Sequence, residues 1–374
     1  MLNSFQISNF RLFHHLEVKR LGKVNLIVGK NNSGKSSFLE AVELYASNAS
    51  PTTLYELVES RQGSWVSEAQ SYSQNLLDSP LRHLFYNHRL PNIEKEGIIL
   101  GELLPNTQIH IGIAAYQSKS DDEGTIRRIR LTEEEFDEDL SDIEIFLVGQ
   151  EDKKIRRIFK LKKDFRREMR NYRFIQEQQE AELKYILQLV PTKNIPNRKL
   201  AALWDLTSLT NLESEIISAL KLIENRISGV AFVEDISKGR TSVNRIPLVK
   251  IENIEEPLPL KSLGDGVNRL LQIMVALVNA RNGILLIDEF ENGLHWTVQP
   301  QIWDIVFRFA EKHNVQVFAT THSRDCIQGF NSAWNKYPEL GAFFRLDAQD
   351  HLIKVTEYSS ETLTDSIETD VEMR

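Results

Sequence analysis

Ile284-Leu285-Leu286-Ile287-Asp288-Glu289, running on into Phe290-Glu291-Asn292-Gly293-Leu294-His295, decides the fold. Four branched apolar residues followed by two adjacent carboxylates predict a fully buried parallel strand whose carboxyl end carries charge into a crevice. Open α/β sheets bind their ligands in such a crevice. Two acids there are costly to desolvate unless a metal ion and a phosphate chain offset their charge. The rest of the chain must therefore supply a phosphate cradle.

Upstream, Val24-Asn25-Leu26-Ile27-Val28 reads as a second buried strand and passes directly into Gly29-Lys30-Asn31-Asn32-Ser33-Gly34-Lys35-Ser36. Ser37 to Tyr45 then has helical spacing. A glycine-bounded loop between a strand and a helix is the setting of a phosphate-binding P-loop. Backbone N–H groups at the helix start form an anion nest, and the glycines let the main chain approach phosphate closely. In that pattern Lys35 reaches the β- and γ-phosphates and Ser36 ligates Mg²⁺; an ordinary glycine turn is the alternative.

Two more stretches fall into line with these. Leu263-Gly264-Asp265-Gly266 opens a strongly apolar helix from Val267 to Val278, making a second anion-ready helix start seventeen residues ahead of Ile284. Val315 to Thr320 predicts another buried strand, ending in Thr321-His322-Ser323. A lone histidine is commonly a satisfied core residue, but His322 is the third polar cluster on a presumed strand end, which favours a ligand-facing role. Gln299 to His313 and a segment from Asp325 read as helices, and Ala342–Asp347 with Leu352–Glu357 as a hairpin.

The remainder is less informative. Phe5 to Phe13 and Leu16 to Val18 predict two short antiparallel strands, and residues 51 to 90 look helical and irregular. Alternating segments at 108–114, 125–131, 143–148 and 155–161 predict two β-hairpins. Lys163 to Leu189 reads as a long polar helix or exposed arm, and Asn211 to Ile227 as an amphipathic helix stopped by Gly229. Val230–Val233 and Arg245–Ile251 look like strands. Between Lys153 and Arg173 stand eleven Lys or Arg against two acids. That segment either contacts a nucleic-acid backbone or an acidic partner, or is neutralised by neighbouring acids such as the eight between Glu133 and Glu144.

The 374 residues, 41% hydrophobic and 26% charged, suit one large or two modest domains. A net charge of -8 argues against wholesale coating of nucleic acid. One cysteine, Cys326, excludes an internal disulfide, and there is neither a run of eighteen apolar residues nor a signal-peptide start. The expected setting is the cytoplasm, with no membrane.

In order, these pieces resemble the ATP-binding head of ABC-type ATPases of the SMC, RecF and OLD group, above all the OLD-like bacterial AAA-type ATPases. Gly29 to Ser36 is similar to their Walker A motif, Leu263 to Gly266 to the ABC signature, Asp288 and Glu289 to Walker B and its catalytic glutamate. Glu291 to His295 resembles the D-loop, His322 the switch histidine, and Asn9-Phe10-Arg11 an N-terminal element whose arginine meets the nucleotide. Gly264 replaces the signature serine, and no Q-loop glutamine can be placed.

The resemblance implies an α/β P-loop NTPase head with a mostly parallel core sheet, an antiparallel N-terminal lobe and a helical insertion, divided as 1–162, 163–230 and 231–374. It implies ATP and Mg²⁺ as cofactors. Nucleotide would be bound by Arg11, Gly29, Asn31, Asn32, Ser33, Gly34, Lys35, Ser36 and Ser37 and by a partner copy's Gly264, Asp265 and Gly266. Ser36 and Asp288 would hold the metal, and Glu289, His322 and Lys35 would carry the hydrolysis. Two heads would close around ATP as a homodimer or larger oligomer, as a switch in antiviral defence or DNA processing. Its output would be a separate effector, a nuclease or toxin, or DNA through residues 153–173. The alternative is a slow-turnover scaffold that holds such a toxin or nuclease. Only fifty-two residues follow His322, too few for the TOPRIM nuclease of many OLD proteins. A transporter subunit is disfavoured by the roughly 230 residues between Ser36 and Gly264, far more than compact connections use.

Overall fold

The computed structural model describes residues 1–62, 79–120, 126–136, 143–151, 154–161, 183–234, 245–350 and 352–371. Its centre is a six-stranded sheet built from Val24–Val28 (β3), Leu187–Val190 (β9), Ile284–Ile287 (β13), Gln316–Thr320 (β14), Gly341–Gln349 (β15) and Leu352–Tyr358 (β16). The spatial order is β16-β15-β3-β14-β13-β9, with every neighbour parallel except the β15/β16 pair.

The uninterrupted apolar runs of this sheet follow from burial on both faces. Leu26, Leu285, Ile287, Val317 and Ala319 share one core with helices Asp265–Asn279 (α5), Gln299–Lys312 (α6) and Arg324–Trp334 (α7). The alternate residues Ile27, Ile284, Leu286 and Phe318 share a second core with Phe38 and Leu39 of helix Lys35–Ala46 (α1). On its far side α1 meets an antiparallel sheet. That sheet contains Phe5–Phe10 (β1), Phe13–Val18 (β2), Ile98–Gly101 (β4), Ile109–Ser120 (β5), Ile126–Leu131 (β6), Ile143–Glu151 (β7) and Lys154–Lys160 (β8), ordered β2-β1-β4-β5-β7-β8 with β6 beside β5. The parallel core and antiparallel N-terminal lobe anticipated from sequence are both present, and the two expected hairpins are joined through β5 and β7 into one sheet.

Two helix readings are corrected. Residues 163–182 of the expected arm lie outside the described residues, but its last residues, 187–189, belong to strand β9 (Leu187–Val190), paired with Ile284–Ile287. The helix from Asn211 stops at Leu220, not Ile227, and Ile227–Glu234 (β10) is a strand that passes through Gly229. A register shift between Ile227 and Gly229 leaves Ser228 as the extra residue, and Gly229 pairs with Lys250 inside the strand, so it does not end a helix. Strands Arg245–Ile251 (β11) and Leu258–Pro259 (β12) complete a small sheet with β10. Pro51–Gln62 (α2), Asn197–Asp205 (α3), Asn211–Leu220 (α4) and Ser360–Glu368 (α8) are the remaining α-helices described.

Among the described residues no helix is long and apolar enough to cross a membrane. In the basic segment, Arg156 donates to Asn48 O, Lys160 pairs with Glu144, and the Arg157 guanidinium lies 5.5 Å from the ring centroids of both Tyr116 and Phe146. The part of that segment beyond Leu161 lies outside the described residues.

Candidate functional site

The loop after β3 takes its shape from positions with positive φ. Gly29 (φ 148) stands where a Cβ would lie 2.4 Å from Leu346 O, and Gly34 (φ 96) where it would lie 2.9 Å from the Phe13 ring. Asn32 (φ 63) also occupies the left-handed region, which asparagine tolerates better than most residues. Gly34 is the N-cap of α1, which puts Lys35 and Ser36 in the first helical turn. Lys30, Asn31 and Asn32 are exposed, and Ser33 is buried with its hydroxyl unpartnered among the described residues. Lys35 Nζ donates to the carbonyls of Gly29 (2.7 Å) and Lys30 (2.9 Å), arching over the loop. Burial lowers its pKa, and Asp288, Glu289 and Glu291 work against that shift.

Parallel register delivers the ends of β3, β13 and β14 to one edge of the sheet, so the loop and the acids meet there. Ser36 Oγ lies 3.2 Å from both Asp288 carboxylate oxygens. Thr320 Oγ1 donates to Asp288 Oδ1 (2.7 Å) and Thr192 Oγ1 to Oδ2 (2.9 Å). Thr192 was missed by sequence reasoning because it follows β9, the strand hidden within the supposed arm. Thr320 was visible only as a strand residue. Together these groups form an all-oxygen set with a single carboxylate, and no group of three or more His, Cys, Asp or Glu suited to a metal occurs among the described residues. Such a partial shell suits Mg²⁺, which keeps waters and takes further oxygens from bound phosphates.

Glu289 has φ 51, in the left-handed region. Both of its backbone polar groups are held, the N–H by Thr320 Oγ1 (2.9 Å) and the carbonyl by Arg269 (2.9 Å) and the Asn292 N–H (3.1 Å). Its side chain is more than a third exposed, with Oε1 4.0 Å from His322 Nδ1. Glu291 orients that histidine, its Oε1 accepting from the His322 backbone N–H (3.1 Å) and lying 3.2 Å from ring Nδ1. Lys35, Ser36, Asp288, Glu289 and His322 thus share one crevice with the neighbouring Ser37, whose hydroxyl accepts from Arg61 at 3.3 Å.

Arg11 is engaged elsewhere. Its guanidinium, 7% exposed, donates to Glu40 (3.0 Å) and to the carbonyls of His83 (2.9 Å) and Leu57 (2.8 Å). The half-exposed Arg61 shares Glu40 with it. Gly264 (φ 93, ψ 168) and Asp265 are exposed at the start of α5, and the turn packs on the D-loop-like segment. A Cβ on Gly266 would lie 3.0 Å from Gly293 O, and one on Gly293 would lie 3.2 Å from the Asp265 Cβ.

A family model described as an AAA ATPase domain matches residues 1–327. A Helicobacter pylori protein described as an ATP/GTP phosphatase is 25% identical over 348 residues, 88% of this chain and 87% of that protein. An uncharacterized Methanocaldococcus jannaschii protein is 47% identical over 47 residues, 13% of this chain and 22% of that protein. Among solved structures, an SMC head bound to the C-winged helix domain of ScpA is 11% identical, with 97% of this chain and 99% of that one covered and a TM-score of 0.49. A Pyrococcus furiosus Smc head with an extended coiled coil, bound to the C-terminal domain of ScpA, is 10% identical, with 99% of each chain covered and a TM-score of 0.48.

Proposed function

The chain belongs to the AAA ATPase domain family, and from that premise we propose that it is a Mg²⁺-dependent ATP hydrolase of the ABC type, related to the SMC, RecF and OLD heads. The observation that carries this is the meeting of Ser36 and Asp288, 252 residues apart, beside the loop whose carbonyls hold the Lys35 ammonium. The loop N–H groups and Lys35 would bind the β- and γ-phosphates, while Ser36 and Asp288 hold the metal. Mg²⁺, when bound, neutralises charge on the phosphate oxygens. Glu289 would orient the attacking water and take its proton, and His322, steadied by Glu291, would face the γ-phosphate. Positioning and charge stabilisation are most of what phosphoryl transfer requires.

The exposed Gly264–Gly266 turn supports a second element of the reading, a dimer in which each turn caps the partner's ATP with backbone N–H groups. With Arg11 occupied by Glu40 and two carbonyls, nucleotide binding in this proposal rests on the loop itself. Motif resemblance supports a cytoplasmic switch in antiviral defence or DNA processing. A separate effector protein is favoured over DNA as its output, because Arg156, Arg157 and Lys160 already have partners within the fold.

The test is phosphate release by purified protein with ATP or GTP, with and without duplex DNA. Lys35→Ala is expected to lose nucleotide binding. Glu289→Gln is expected to bind ATP, lose roughly 10²- to 10⁴-fold in turnover and accumulate as a dimer on size exclusion. Tight binding with negligible hydrolysis under every condition would replace the hydrolase with an ATP-bound scaffold that sequesters its partner.

A further inference from the structure

Between Val267 and Val278 helix α5 is apolar except for Asn268, Arg269 and Gln272, which are buried at 5%, 3% and 1% exposure. All three reach the segment that follows β9. Asn268 Nδ2 (3.1 Å) and Gln272 Nε2 (2.7 Å) donate to Asn194 Oδ1, and Ile195 N donates to Gln272 Oε1 (2.7 Å). Arg269 spans two strand ends. Nη1 donates to Pro191 O (2.6 Å), and Nη2 to Asp288 O (2.6 Å) and Glu289 O (2.9 Å).

Stability does not explain this arginine. A buried cation is a weak stabiliser compared with apolar packing, and Arg269 Nε has no hydrogen-bond partner among the described residues. Burial pulls its pKa down to about 10, against the pull of Asp288, Glu291 and Glu289, so the charge persists at neutral pH. What the side chain achieves is geometric. Glu289 sits in left-handed backbone, which persists only where surrounding contacts over-determine it. Arg269 holds the carbonyl side of that residue, and Thr320 Oγ1 holds the N–H side. One turn earlier on the same helix, Gly266 packs on Gly293. The start of α5 is therefore tied to both ends of the Glu289–Gly293 segment.

We propose that Arg269 is a positioning residue for hydrolysis, fixing the backbone of Glu289 and linking it rigidly to the Gly264–Gly266 turn. A ligand or partner that moves that turn would then move Glu289 with it. The proposal rests on the ATPase reading above. An apolar side chain at 269 would strip the Pro191 and Asp288 carbonyls of the partner described here and leave Glu289 O with the Asn292 N–H alone (3.1 Å), loosening the hold on the left-handed region without touching the phosphate loop.

Full-length wild type, Arg269→Met and Arg269→Lys are compared for kcat, for KM of Mg-ATP, and for Kd of a non-hydrolysable ATP analogue. Arg269→Met is expected to lower kcat by about 100-fold, the scale of a displaced catalytic group, with KM and Kd within about threefold of wild type. Arg269→Lys is expected to recover about tenfold of that loss, since an ammonium offers donors without the planar fork. If Arg269→Met does not fold, Arg269→Lys alone decides, with roughly a tenfold fall in kcat at unchanged Kd expected. Turnover equal to wild type, or Kd lost in step with kcat, overturns the proposal while leaving the ATPase reading intact. A wild type that binds ATP without hydrolysing it overturns both.

Discussion

Gly264→Ser would supply the side chain that ABC signatures carry at this turn, and the backbone indicates that it will do harm. At φ 93 and ψ 168 the residue lies in a region that is essentially glycine's own. An added Cβ would meet nothing within 4 Å among the described residues, so clashes contribute nothing and the penalty is intrinsic to the main chain. That strain amounts to about 1–3 kcal/mol. Loss of glycine's unfolded-state freedom offsets about 0.4–1 kcal/mol of it, which leaves a net destabilisation of about 1–2 kcal/mol. Gly264→Ala should lose the same amount, because the hydroxyl has no part in the argument. Gly112→Ala is the control: its Cβ would make an ordinary 3.7 Å contact with Lys95 O, with no positive φ, and should lie within about 0.5 kcal/mol of wild type. Urea unfolding followed by tryptophan fluorescence reads all three. Relief of strain by a shifted turn would disturb the Gly266–Gly293 contact, so turnover should fall with stability. A Gly264→Ser protein as stable as Gly112→Ala, or one that hydrolyses ATP faster than wild type, would refute the reasoning.

Two further outcomes follow from the same geometry. Thr192→Val keeps the shape of the side chain but removes a hydroxyl donated to the Asp288 carboxylate at 2.9 Å. A hydrogen bond to a charged group contributes about 1.5–3 kcal/mol, so the Mg²⁺ concentration giving half-maximal turnover should shift by tenfold or more; an unchanged Mg²⁺ titration would remove Thr192 from the site. Glu43, on α1, has its pKa raised from 4.5 to about 7 by burial and then by Glu56 and Glu40, against the opposing pull of Lys199. Between those values the native state holds a proton that the unfolded chain releases. The associated stability is therefore complete below pH 4.5 and is lost as pH rises to 7, by about 3 kcal/mol in all. Glu43→Gln should flatten that slope, which urea midpoints at pH 5, 6, 7 and 8 would show, and parallel curves for the two proteins would count against it.

The features legible in the sequence are those whose signal is local. Ile284 to Glu289 and Val315 to Thr320 read as buried strands because both faces are covered, and Gly29 to Ser36 reads as a phosphate loop because its glycines stand between a strand and a helix. Leu187–Val190 offered neither length nor alternation. It is a strand because Ile284–Ile287 lies beside it, information that sits almost a hundred residues away, and without it Thr192 had no visible route to Asp288. Ile227 misled in the opposite sense, since it continues the helical spacing of Ile216, Leu220 and Ile223 although the chain has already turned into β10. Arg11 shows the limit of resemblance: the motif locates the residue, but Glu40, Leu57 and His83 determine what its guanidinium touches. Arg269 lay in plain view within Val267 to Val278, a run read only as apolar. Gln272 stands three residues from Arg269 and four from Asn268 on one side of that helix, and polar groups buried at such spacing need partners. In this fold those partners are the carboxyl ends of β9 and β13, so the polar face on an otherwise apolar helix was itself a pointer to where the chemistry lies.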